Sequence, residues 1–202
     1  MRSLILTLAL LAAGAATPAT AVELPTDPEA RKAAIAEAAT KWFNAEFAPL
    51  IALPSIIDAI YVQNEATNGY DEAKIIELDK AWRKDVSAGA SPLVRGVLDH
   101  PASRVLLDNV AQAGGVVTEI FIMDAKGLNV AASMATSDYW QGDEAKFQET
   151  FPKGAGVIHV SDIEYDHSTG LSQIQISATV VDTLDDSVIG AITIGVVADL
   201  IL

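Results

Sequence analysis

The chain has 202 residues, with 13 Lys and Arg against 27 Asp and Glu, a formal net charge of −14 and an isoelectric point near 4.4. That length suffices for one domain with a sizeable core, and so acidic a chain is excluded as a binder of nucleic acid or of an anionic membrane surface. There is no cysteine, which excludes disulfides, thiolate chemistry and cysteine metal sites, so the fold must rest on the half of its residues that are hydrophobic.

Residues 1–21 read as a secretory signal peptide. Arg2 supplies the basic end, Leu4–Ala16 the apolar run, and Ala19, Thr20 and Ala21 a small-residue cleavage site. The apolar run is short for a spanning anchor. Cleavage after Ala21 removes Arg2 and no acid, so the mature chain is still more acidic. It is expected in a bacterial periplasm, beginning near Val22. Residues 22–115 are predicted as a helical part, and residues 116–202 as a sheet.

The helical part is punctuated by its prolines and caps. Asp27 and Pro28 open a first helix whose stripe is Ile35, Ala38, Trp42 and Ala45, widened by Phe43, Phe47 and Leu50. Those aromatics read either as packing on the sheet or as a partner surface, such as a homodimer through this helix. Pro49 and Pro54 must kink or break it. Ile56, Ile57, Ile60 and Tyr61 continue towards a stop at Asn68 and Gly69. Asp71 caps the next helix, with Ile75, Leu78, Trp82 and Val86 on its apolar face. Ser91–Val97 is a short helical turn, His100 and Pro101 break again, and Ala102, Val105, Leu106 and Val110 form a last helix ending at Gly114 and Gly115.

Five strands are predicted next, with a helical insert after the second. Val117–Met123 and Val188–Ala198 are apolar on both faces and belong in the middle of a sheet. In Leu171–Val181, Ile174, Ile176, Ala178 and Val180 alternate with Gln173, Gln175, Ser177 and Thr179, so one face looks onto a polar setting. Leu128–Ala132 is short and suits an edge. Along Val157–Asp166 the apolar phase slips by one residue, which predicts a bulge near Ser161 and Asp162. Tight turns join the last three strands. An antiparallel order 2-1-5-4-3 satisfies all of this, and the fold class is α+β.

That order is the sheet of PAS-like sensors. Four stretches, Glu119–Val130, Thr136–Lys146, Val160–Gly170 and Ile189–Val196, resemble the Cache (PDC) extracellular sensor domains, in their single-module secreted periplasmic form. The resemblance covers about the last 80 residues and implies a long N-terminal helix on one sheet face and a small-molecule pocket on the other. It implies a sensory or ligand-binding protein. Because the chain stops where its last strand stops, the signal is expected to pass in trans to a membrane sensor kinase or receptor. The amino-acid-binding pattern of two-module relatives, an arginine beside aromatics, is missing: between Lys126 and Lys153 the only basic residue is Lys146.

The insert between strands two and three, where the resemblance puts the pocket wall, supplies the candidate ligand-binding residues Ser133, Asp138, Tyr139, Trp140, Gln141 and Lys146. Tyr and Trp offer rigid amphipathic area, Asp and Gln directed hydrogen bonds. Asp138 and Gln141 also have the spacing of a capping box on a short helix. Asp162 and Glu164 are added because the phase slip re-aims Asp162. With Asp166, and with Asp182, Asp185 or Asp186, they read either as a cation site or as a charged, non-sticky edge. Lys146 sits three residues after Asp143 and is expected to pair with it. The acidic balance favours a cationic or zwitterionic amine over a dicarboxylate. No catalytic residues, cofactor or metal are expected: His100, His159 and His167 are scattered, and no nucleophile elbow, phosphate loop or zinc motif is present. The competing class is a ligand-free accessory module of a membrane complex.

Overall fold

The computed structural model describes residues 24–86, 91–166 and 171–202. The signal-peptide reading of residues 1–21 and the turn residue His167 lie outside them. Helix α1 (Pro28–Glu46) starts where Asp27 accepts a hydrogen bond from the Ala30 N–H at 2.9 Å, and it buries Ile35, Ala39 and Phe43. Each following proline stands in the first turn of a new segment, where its missing N–H breaks no helical bond: Pro49 in α2 (Ala48–Ile51) and Pro54 in α3 (Pro54–Thr67). The carboxylate of Asp71 caps α4 (Glu72–Asp85), and the Ser91 hydroxyl caps α5 (Pro92–Leu98). The His100 ring caps α6 (Pro101–Gln112). Gly114 and Gly115 then adopt φ of 60° and 90°, conformations that only glycine takes without strain, and turn the chain into the sheet.

The sheet is antiparallel, with β1 (Val117–Met123) and β6 (Val188–Val197) in the middle. β2 (Asn129–Ala132) flanks β1, and β5 (Leu171–Val181) flanks β6. The far edge is two short strands, β3 (Ile158–Val160) and β4 (Glu164–Asp166), both paired to β5. The expected order therefore holds with six strands in place of five. The expected bulge is there: between the Val160–Ile176 and Glu164–Gln173 pairs, three residues of the edge face two of β5, one residue extra. Ser161 closes the ladder, its N–H on the Gln175 carbonyl and its hydroxyl accepting from the Gln175 N–H, both at 2.9 Å. Asp162 and Ile163 then stand opposite Ile174 alone, and Asp162 turns to Lys32 of α1 at 2.8 Å.

Two cores lie on opposite faces. Ile120, Ile122, Ile174, Ile176, Ile192 and Ile194 pack beneath α1, α2, α3 and α6. Phe121, Met123 and Ala191 point the other way, towards Trp82, Tyr139 and Phe147. Phe43 and Phe47 are buried in the first core, and Trp42 packs beside Phe47 at a ring separation of 5.2 Å. Among the described residues, no helix is long and apolar enough to cross a membrane.

Candidate ligand-binding site

The second face of the sheet is polar where it could have been apolar. β5 and β6 are paired so that Ser177 lies opposite Thr193, and the two buried hydroxyls bond each other at 2.9 Å. Thr179 follows on the same face by the pleat of the strand. Its buried hydroxyl has no partner among the described residues. Lower on the face, Glu119 of β1 accepts from the Gln175 side chain at 3.2 Å, and no cation pairs with it among the described residues.

The insert, residues 133–156, covers this face. It is not the helix the capping-box spacing predicted: the only helical turns are α7 (Ala145–Gln148) and a 3₁₀ turn at Phe151–Lys153. Gln141 does reach back to Asp138, but to its carbonyl oxygen, at 2.8 Å. The Asp138 carboxylate is instead held by Arg83 of α4 at 2.9 Å. Arg83 also pairs with Asp79 at 2.8 Å, and Asp79 accepts the N–H groups of Tyr139 and Trp140 at 3.0 and 3.1 Å. The indole of Trp82, one residue before Arg83, donates to the Thr136 carbonyl at 2.8 Å and stacks on Tyr139 at 5.5 Å. Helix α4 thus fixes the insert by main chain, charge and ring together.

The expected site residues separate into three places. Lys146 lies over Phe121 of the second face, and Gln141 stands between it and the β1–β2 turn, its N–H on the Gly127 carbonyl at 2.7 Å. Lys146 is only 15% exposed and bonds the Glu144 carboxylate at 2.9 Å and the Gln141 side-chain oxygen Oε1 at 3.1 Å, with its ammonium 5.4 Å from the centre of the Phe121 ring. Its partner is Glu144, not Asp143, because the helix starts only at Ala145 and Asp143 precedes its first turn. Tyr139 and Trp140 face α4 and the β1–β2 turn. The Trp140 indole donates to the Lys126 carbonyl at 2.9 Å and lies so close over Gly142 that a side chain there would collide with it. Burial pushes the Tyr139 hydroxyl up to about 12, so it stays protonated. Ser133 extends the β1–β2 ladder, with its N–H and hydroxyl on the backbone of Ile120 at 2.8 and 2.9 Å. Asp162 and Glu164 stand at the opposite edge. Asp162, 73% exposed, faces α1, which covers the other side of the sheet; the bulge that re-aims it turns it away from the insert. The Asp166 side chain lies outside the described residues, and among those described no group of three or more acids and histidines is placed to hold a metal ion.

Sequence reading missed Asp79, Arg83 and Gln63. The signal for the first two was present: an acid and an arginine one turn apart, flanking a tryptophan on an apolar helical stripe. Gln63 lies on the polar side of α3, with Asn64 and Thr67. Gln63 donates to the Tyr139 hydroxyl at 3.0 Å, and Asn64 bridges the Ile189 carbonyl and the Ala125 N–H, each at 2.8 Å. Thr67 donates to the buried Asp124 carboxylate at 2.8 Å. Burial raises the Asp124 carboxyl above its ordinary value, and the hydrogen bonds to Leu128, Thr67 and Lys126 oppose that.

No family model matches the chain, and no curated protein matches it. Solved structures do. The sensory domain of the Campylobacter jejuni chemoreceptor Tlp3 with isoleucine bound is 14% identical, over 85% of this chain and 64% of that one, with a TM-score of 0.35. The ligand-binding domain of the Pseudomonas aeruginosa amino acid chemoreceptor PctC, in complex with GABA, is 14% identical over 80% and 62%, with a TM-score of 0.40. The extracellular domain of a histidine kinase candidate, vpHK1S-Z8, is 13% identical over 82% and 56%, with a TM-score of 0.38. The chain spans less than two thirds of the length of each. The first two are a sensory and a ligand-binding domain of chemoreceptors and the third the extracellular domain of a kinase, and the likeness is one of fold.

Proposed function

We propose that the chain is a sensory ligand-binding domain of the Cache type, working in the periplasm. Its ligand lies between the sheet face of Phe121, Ser177 and Thr193 and the insert that carries Gln141 and Lys146. The observation behind this reading is the buried polar band on that face. Hydroxyls removed from water cost free energy that an apolar pair would not. The core gains nothing from them, whereas a ligand would. The ligand class we favour is a zwitterionic or cationic amine. Lys146 is already balanced by Glu144 and Asp138 by Arg83, which leaves Glu119 as a carboxylate on this face without a cation among the described residues. The signal would leave through the helical layer to a separate membrane receptor or kinase. In support, α3 is hydrogen-bonded both to the insert at Tyr139 and to the β1–β2 turn.

A thermal-shift competition of amines, amino acids and dicarboxylates against the wild-type protein tests this. A ligand at a hundred times its dissociation constant adds about 2.7 kcal/mol of stability. The expected result is a shift with an amine or zwitterion that is lost in Glu119→Gln. Binding of a plain dicarboxylate, lost in Lys146→Ala and kept in Glu119→Gln, overturns the ligand class. No shift with any compound favours a ligand-free accessory module.

A further inference from the structure

The β2 edge of the sheet carries a separate cleft. Its volume is 250 Å³, and its walls are largely apolar, with Val62 of α3, Leu93 and Val97 of α5, and Val130 of β2. Three polar residues from three different segments, Gln63, His100 and Tyr139, line the same cleft. Each has hydrogen-bonding capacity left over. Tyr139 is only 5% exposed, and its phenol oxygen accepts from Gln63, yet its own O–H proton finds no acceptor among the described residues. The His100 Nδ1 accepts the Ala102 N–H at 3.1 Å, which places the ring proton on Nε2, and that N–H is also without an acceptor among the described residues. Gln63 gives its amide N–H groups to Tyr139 and to the Asn129 carbonyl, at 3.0 and 3.4 Å, and its Oε1 accepts from nothing described.

Gly96 points to the same place. It sits inside α5 with an ordinary helical backbone, and a Cβ added there would meet nothing within 4 Å. Neither a turn nor a close approach requires glycine, although glycine inside a helix costs about 1 kcal/mol relative to alanine. What its missing side chain does is leave the cleft open.

We propose that this cleft is a second binding site, for a small neutral carbonyl compound with an apolar tail, of the primary-amide kind. The carbonyl oxygen takes the Tyr139 O–H and the His100 Nε2–H, the amide N–H goes to Gln63 Oε1, and the tail lies along Val62, Leu93 and Val97 over Gly96. Two donors and one acceptor match an amide. Among the described residues the cleft wall holds no lysine, arginine, aspartate or glutamate, so a carboxylate or ammonium would lose its hydration without a counter-charge. None of Phe121, Ser177, Thr193, Gln141 and Lys146 lines this cleft, although its Tyr139 belongs to the insert that covers them.

Three isosteric probes test it: hexanamide, hexanoate and hexylammonium, titrated into the ¹⁵N-labelled protein. Hexanamide is expected to give saturable amide shifts at Gly96, Val97 and Val130, at lower concentration than either charged probe. Gly96→Leu fills the cleft, is expected to keep the melting temperature, and abolishes the shifts. Tyr139→Phe keeps the ring and weakens binding by about three- to tenfold, the loss of one neutral hydrogen bond. Glu119→Gln, which tests the other site, leaves hexanamide binding unchanged. Absence of saturable shifts, equal shifts in Gly96→Leu, or tighter binding of hexanoate or hexylammonium overturns the proposal.

Discussion

Asp79 receives three donors: the backbone N–H groups of Tyr139 and Trp140, and the guanidinium of Arg83. Two of these are main-chain groups at the foot of the insert with no other partner described, so truncating the carboxylate strands them. Asp79→Ala should lose about 2–4 kcal/mol by urea denaturation, at one to three for each unsatisfied buried donor, less what water recovers. Arg83→Ala should lose less, because the guanidinium is half exposed and water replaces it. An Arg83 variant as damaging as Asp79→Ala would show that charge, and not main-chain capture, fixes the insert. The Ser177–Thr193 pair gives the converse case. Thr193→Val alone leaves Ser177 unpaired in the core and should cost about 1 kcal/mol, whereas the double variant Ser177→Ala, Thr193→Val should be nearly neutral in stability. If that double variant also loses ligand, the hydroxyls serve binding.

At the scale of elements, the cap of α6 makes stability depend on pH. His100 caps only while Nδ1 is unprotonated, and burial holds its pKa below the ordinary value. The folded pKa is therefore the lower one, and the unfolded chain takes the proton first. Stability is full above about pH 6.5, the ordinary histidine value, and is lost as the pH falls towards the folded pKa. His100→Asn caps without titrating and should flatten that part of a stability–pH curve; an unchanged slope would assign it to another group. Helix starts of this kind were legible in the sequence because Asp27, Pro28, Asp71 and Ser91 act on their own first turns. The sheet order was legible because Val117–Met123 and Val188–Val197 are apolar on both faces, which only a middle strand tolerates. The edge bulge was legible too, because the apolar phase of Val157–Asp166 slips by the one residue that the register gains; the direction in which it aims Asp162 was not. Nor was the grip of α4 on the insert: pattern shows that Asp79 and Arg83 share a helix face, but not which distant segment that face meets. The eight candidate site residues scattered for the same reason. Ser133 and Lys146, close in sequence, part because one extends the β1–β2 ladder and the other stands on α7 over Phe121.

For the molecule as a whole, the pairing of β1 with β6 has a kinetic meaning. β5 and β6 form a hairpin through a short turn, a local contact that closes early. β1 and β2 likewise meet across the Asp124–Leu128 turn. The seam between these two units, Val117 against Val196 and Met123 against Ala191, joins opposite ends of the sheet sequence. The loop entropy for it falls due before its contacts form, so the seam should be the late step of folding. Phe121 and Thr193 face each other across that seam and Glu119 meets Gln175 across β6, so the complete floor beneath the insert does not exist until the seam has closed. A ligand held there stabilises something the folding transition state lacks. It should slow unfolding and leave the folding rate unchanged, so in a chevron only the unfolding limb moves. Occupancy would then set how long each molecule survives as a receiver between openings, a lifetime rather than a speed of assembly.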